Sequence, residues 1–155
     1  MTSKVKPVPE DYPTVTPYLT VKDAPSAMEF YSNVFGAKEL MRLAEPDGRI
    51  GHAEMQIGNS QIMISDEYPE IDVLGPHSRG GSTVGLHIYV ADADAVFERA
   101  VAAGATVLRP VSDEFYGDRS GKLADPYGHV WFVSSRKENV PAEEVERRHQ
   151  KLTGK

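Results

Sequence analysis

Three stretches of this chain carry side chains able to do chemistry. In His52-Ala53-Glu54-Met55-Gln56 polar and apolar residues alternate with period two, the mark of a half-buried strand. Ala53, Met55 and Ile57 then face one side, and His52, Glu54 and Gln56 the other. The same alternation in Gly85-Leu86-His87-Ile88-Tyr89 puts Gly85, His87 and Tyr89 on one face and Leu86 and Ile88 on the opposite one. Two histidines and a glutamate sharing a chamber admit three uses. They are hydrogen-bonded groups lining a wet cavity and recognising a ligand, an acid–base set in which a desolvated Glu54 takes a proton with imidazole help, or a displaced metal site. His52, Glu54 and His87 are therefore the catalytic candidates. The third stretch, Asp113-Glu114-Phe115-Tyr116-Gly117-Asp118-Arg119-Ser120-Gly121, packs charge, aromatic rings and glycine together. Either Arg119 and Tyr116 clamp an anionic or planar ligand, with Asp118 or Glu114 fixing the guanidinium, or Arg119 bridges an acid and orders a hairpin. Tyr18 and Tyr89 are aromatic walls or core.

Other chemistries are excluded by what the chain lacks. With no cysteine there is no disulfide, thiol nucleophile or thiolate metal site. Gly80-Gly81-Ser82 lacks the frame and lysine of a phosphate loop, and no serine sits in a G-x-S-x-G context. His77, in a loop, and His149, near the end, read as solvated. Seventeen basic against 23 acidic residues give a net charge of -6, which disfavours nucleic acid, whose backbone calls for a basic stripe. The first residues hold lysines and prolines but no apolar run of secretory type, and no stretch is long enough for a membrane span. A cytoplasmic protein is the expectation.

The elements that position these residues come from an internal repeat. VTPYLTVKDAPSAMEFYSNVFGAKEL from Val15 aligns with STVGLHIYVADADAVFERAVAAGATVL from Ser82, matching Val21 with Val90, Asp23 with Asp92 and Glu29 with Glu98. Each copy begins with a β-rich run, 15–21 or 84–90. An Asp N-cap then opens a helix with an apolar stripe (Met28, Tyr31, Val34 and Phe35 in the first), which ends at Gly36 or Gly104. Three short strands follow, at 38–43, 50–57 and 61–65 in the first copy and 106–111, 119–124 and 129–134 in the second. Residues 155 in number, 40% of them hydrophobic, suffice for such a pair of modules with a core. The expected organisation is an extension at 1–13, βαβββ modules at 14–66 and 82–136 joined by a linker at 67–81, and a tail helix at 137–155. The class is α+β. One face of each sheet packs its helix; the opposite, inner face needs another partner.

Paired βαβββ modules carrying VTPYLTVKDA, HAEMQIG, GATVLRPV-x-DEFYGDRSG and DPYGHVW resemble the vicinal oxygen chelate superfamily of glyoxalases, bleomycin-resistance proteins and extradiol dioxygenases, and within it the PhnB-like branch. The resemblance implies a glyoxalase-like fold, curved mixed sheets around a cavity, and a homodimer. It also implies metal ligands on the first and last strands of each module. Carried over, those positions are Thr16, Met63, Gly85 and Phe132, none a usual donor, so neither metal nor cofactor is expected. The expected function is binding of a small organic ligand between paired modules, by Thr16, Tyr18, His52, Glu54, Met63, His87, Tyr89, Tyr116, Arg119 and Phe132. The alternative is a lyase, isomerase or dioxygenase type of enzyme using His52, Glu54 and His87, with or without a divalent ion.

Overall fold

The structure, a computed structural model, describes residues 4–154. The first three residues of the expected 1–13 extension and the last residue of the 137–155 tail lie outside the described residues. The chain divides into two units, Met1–Gly81 and Ser82–Lys155.

The first unit runs β1 (Tyr18–Val21), α1 (Ala24–Phe35), β2 (Lys38–Ala44), β3 (Ile50–Ile57) and β4 (Ser60–Asp66). Its sheet has the order β1-β4-β3-β2, with β1 parallel to β4 and the other pairs antiparallel. Helix α1 starts where the Asp23 side chain accepts from the Ser26 N–H, and stops at Gly36, which takes the left-handed conformation (φ 70°). Its Ala27, Tyr31 and Val34 are buried with Leu19, Val21, Ala53, Met55, Ile62 and Ile64 from the sheet, so alternation along the strands fixes which face is core. A buried carboxylate locks this packing: Asp66 accepts from the Ala24 N–H at 2.8 Å and the Ile50 N–H at 2.6 Å.

The second unit repeats the plan with β5 (Gly85–Tyr89), α3 (Ala93–Ala102), β6 (Thr106–Asp113), β7 (Asp118–Ala124) and β8 (Val130–Arg136), in the order β5-β8-β7-β6. Both units are α+β with a mixed four-stranded sheet. Where the first uses Asp66, the second uses the Ser135 hydroxyl, which accepts from the Ala93 N–H and donates to the Val90 carbonyl. Trp131 is core, its indole N–H bonded to Asp125, whose carboxylate also holds the turn to β8 through the Tyr127 and His129 N–H groups.

Two segments differ from their expected form. The stretch expected as a linker is structured: a 3-10 turn at Pro69–Ile71, a bridge between Tyr68 and Val73, and a short helix α2 (Pro76–Arg79). Its prolines Pro69 and Pro76 open these turns at positions where the absent N–H has no role. The tail helix α4 (Ala142–Thr153) is shorter than the expected 137–155 segment, and Pro141 serves as its N-cap. Among the described residues no helix is long and apolar enough to cross a membrane.

Candidate functional site

The inner face of the first unit is organised around β3. Alternation turns His52 and Glu54 away from α1, and the structure joins them: His52 Nε2 lies 3.0 Å from Glu54 Oε1, and His52 Nδ1 lies 2.7 Å from the Tyr18 hydroxyl on β1. Tyr12, preceding β1, donates its hydroxyl to the other Glu54 oxygen. The result is a four-member chain, Tyr12–Glu54–His52–Tyr18. Glu54 accepts from both neighbours, which holds its carboxyl below the ordinary carboxylate range despite partial burial. The same bond pushes the Tyr12 phenol up to about 12, because the adjacent carboxylate opposes a second negative charge. Burial raises the Tyr18 phenol, while its hydrogen bond with Ser65 acts in the opposite direction. An ionised Glu54 calls for a proton on His52 Nε2; in a neutral imidazole Nδ1 then accepts from the Tyr18 O–H, and in an imidazolium Nδ1 donates to it.

Beside this chain lies an open cavity of about 430 Å³, within the size range of small-molecule sites. Tyr18, Thr20 and Ser65 form its wall on the sheet; Tyr68, Ile71 and Val73 close it from the segment after β4. A bulge shapes its floor. Leu43 pairs with His52 but Ala44 pairs with Ile50, so Gly51 is the extra residue of β3. The bulge turns Ile50 into the core, and a Cβ on Gly51 would stand 2.8 Å from a carboxylate oxygen of Glu45, which also lines the cavity, and 3.5 Å from the Tyr68 hydroxyl. That hydroxyl is buried and has no hydrogen-bond partner among the described residues. The Arg49 guanidinium stacks 4.0 Å above the Tyr68 ring and holds it in place.

The second unit presents a different inner face. His87 Nε2 meets the Ser134 hydroxyl at 3.0 Å, and Ser134 donates to Ser120 at 2.7 Å. His87 also stacks near Phe132 and Tyr89, and Lys122 lies over the Phe132 ring. The Tyr89 hydroxyl donates to the buried Asp118 at 2.6 Å, which raises the phenol, and Arg136 approaches both. Tyr116 is exposed and hydrogen-bonded with Ser120. Arg119 lies elsewhere: it holds Asp94 of α3 through two bonds of 2.6 and 2.9 Å and reaches Asp113, on the side of β7 where Gly121 packs against Phe97. Its partners are thus neither Asp118 nor Glu114, and the arrangement is that of an ordering bridge. A hollow of about 600 Å³ near Asp113, Asp118 and Glu138 is larger than the first cavity, but these carboxylates already pair with Arg119, Arg136 and Arg148.

The positions that would hold a divalent ion do not fit one. Thr16 precedes β1 and Met63 offers a thioether. At the second pair a Cβ on Gly85 would be 2.6 Å from the Phe132 ring, so an aromatic carbon occupies the space a ligand side chain would need. Both ring nitrogens of His52 already have partners, and the described residues contain no group of three His, Asp or Glu side chains suited to a metal.

Of the residues singled out from sequence, Tyr18, His52 and Glu54 come together in the first unit, and His87, Tyr89 and Phe132 in the second. Thr20 and Ser65 were missed, although they follow by alternation from Tyr18 and Met63. Tyr12 and Tyr68 were missed because they sit outside the strands, where no periodicity points a side chain.

Two βαβββ units, each a mixed sheet with a polar inner face, define an α+β protein of glyoxalase-like fold. The chain belongs to the glyoxalase/bleomycin resistance protein/dioxygenase superfamily, whose family pattern matches residues 13–133. It is 40% identical over 137 residues to a protein of Mycobacterium bovis described as uncharacterized, covering 86% of this chain and 90% of that one. Among solved structures it is similar to TioX from Micromonospora sp. ML1, with 27% identity, a TM-score of 0.60, and coverage of 83% of this chain and 100% of that one. It also resembles a PhnB protein from Bacillus cereus, with 20% identity, a TM-score of 0.64, and coverage of 79% and 99%.

Proposed function

We propose that the protein binds a small, partly aromatic organic molecule on the inner face of its first unit, without the metal of its enzymatic relatives. The observation that carries this reading is the buried Tyr68 hydroxyl at the cavity wall. A buried donor without a partner costs about 1–3 kcal/mol, and a ligand acceptor would relieve that cost. The tyrosine rings, Ile71 and Val73 supply the apolar contact, and Thr20 and Ser65 supply polar edges. A thermal-shift screen of planar aromatic compounds tests it. Hits should stabilise the wild type and leave Val73→Trp, which fills the cavity, unshifted; hits that stabilise both equally would place binding elsewhere.

Acid–base use of His52 and Glu54 is the second reading, favoured by the hydrogen bonds that tie them to Tyr18. The proposal extends to a homodimer in the cytoplasm. Leu40, Met41 and Leu43 on β2 and Val107 and Leu108 on β6 are exposed apolar side chains that a second copy would cover, and light scattering would give the mass. The cysteine-free composition is compatible with a reducing compartment.

A further inference from the structure

The segment between Asp66 and Gly75 is fixed at both ends and loosely held between them. Asp66, at the end of β4, is buried and bonded to the Ala24 and Ile50 N–H groups. Gly75 and Pro76 are buried too, and a Cβ on Gly75 would stand 2.8 Å from the Thr20 carbonyl oxygen, so that end is pressed against β1. None of residues 67–74 is buried, and Ile71 at the tip is 70% exposed. The segment is nevertheless shaped. Glu67 accepts from the Gly75 N–H at 2.8 Å across its base, and Tyr68 and Val73 exchange two backbone hydrogen bonds above it. A compact loop whose ends meet in this way can move as one piece.

From this arrangement we infer that residues 67–74 are a flap over the cavity of the first unit, hinged beside Asp66 and Gly75, and that Arg49 is the latch that holds it shut. The inference rests on the cavity being a ligand site and names what controls access to it.

Closure is a balance of opposed contributions. Arg49 leaves the turn between β2 and β3, steadied by the Asp47 carboxylate at 2.8 Å, and grips the flap twice: it donates to Glu70 at 2.7 Å and lies 4.0 Å above the Tyr68 ring. Against this grip stands the Tyr68 hydroxyl, buried with no acceptor among the described residues, an unfavourable state that ends when the flap lifts and water reaches it. A second tie joins the tip to α2, where Arg79 meets the Asp72 carbonyl and carboxylate, but with side-chain exposures of 51% and 78% this pair contributes little net attraction. Tyr68, Ile71 and Val73 are the flap's share of the cavity wall, so lifting it uncovers Tyr18, Thr20 and Ser65. A ligand that offers the Tyr68 hydroxyl an acceptor favours the closed form alone and shifts the population toward it.

Nitration of the full chain by tetranitromethane, read residue by residue by mass spectrometry, reports how often Tyr68 is reachable. In the wild type Tyr68 should react slowly. In Glu70→Gln and Arg49→Gln it should react several-fold faster, most in Arg49→Gln, which loses the stacking as well as the ion pair. The Arg49 charge itself favours ionisation of the Tyr68 phenol, so its removal alone would slow nitration, and a faster rate reports opening. Tyr31, fully buried in the core, should stay unmodified in all three proteins. Addition of 4-nitroanisole, a planar aromatic with ether and nitro acceptors, near its solubility limit should slow Tyr68 nitration. A Tyr68 rate that matches the wild type in either variant overturns the latch. Tyr31 reacting in step with Tyr68 overturns the flap, because the opening is then global unfolding. Rates that respond to Arg49 but not to 4-nitroanisole leave the flap standing and overturn the ligand reading, and with it the control of access.

Discussion

The two units share strand order and the bulge at Leu40 and Leu108, yet the Gly51 bulge belongs to the first alone and their inner faces diverge. Tyr18 sits opposite Met63 as His87 sits opposite Phe132; His52 and Glu54 stand on β3 where Ser120 and Lys122 stand on β7. In the first unit these slots hold a chain that runs from phenol to carboxylate to imidazole to phenol and stops at a cavity. In the second they hold His87 and Ser120, tied to the Ser134 hydroxyl, and Lys122 over the Phe132 ring, with Asp118 and Arg136 paired beside Tyr89. The same strand order thus builds one face whose hydrogen-bond chain ends at a cavity and one whose polar groups bond to one another. The difference comes from side chains at a few alternating positions, and not from topology.

The contrast between the buried ties is the first to break. Asp66→Ala leaves the Ala24 and Ile50 N–H groups buried and unpaired, and should cost about 3 kcal/mol in urea unfolding followed by circular dichroism. Ser135→Ala, its counterpart, removes a neutral tie and should cost about 1 kcal/mol. Equal costs would mean that the charge of Asp66 contributes nothing.

Gly85→Ala should follow, at about 2 kcal/mol by the same measurement, since the new methyl collides with Phe132. Combined with Phe132→Leu the loss should shrink. If Gly85→Ala alone is neutral, the ring moves freely and the second face is less filled than its packing indicates.

The smallest effect is a pH dependence. Glu54 is held below its ordinary value of 4.5 in the folded state, so its contribution is present above that value and disappears as pH falls through the lower folded one. The stability difference between wild type and Glu54→Gln, under about 1 kcal/mol at neutral pH, should therefore vanish on acidification. Substituting Lys122, which stands in the same slot of the second unit, should give no such acid-dependent difference.

How much of this was legible in the sequence differs between fold and site. The repeat and its alternation carry the fold, because a strand with one core face has a single workable register; His52 and Glu54 were placed on the inner face for that reason. Bulges break the same logic. Strict alternation along β3 would put Ile50 beside His52, and only the extra Gly51 sends it into the core. Tyr12 and Tyr68 escape altogether, since their positions come from how irregular segments fold back over the sheet. At Arg119 the sequence left a ligand clamp and an ordering bridge open, and the side chain bridges Asp94 of α3 and Asp113.

The asymmetry of the two faces is tested most directly by amide chemical-shift mapping of the intact chain titrated with 4-nitroanisole. The account predicts that the largest shifts fall on Tyr18, Thr20, Gly51, Ser65, Tyr68 and Val73, with His87, Tyr89 and Ser134 unmoved. Larger shifts at His87, Tyr89 and Ser134 than at Tyr18 and Tyr68 would contradict it and assign the binding face to the second unit.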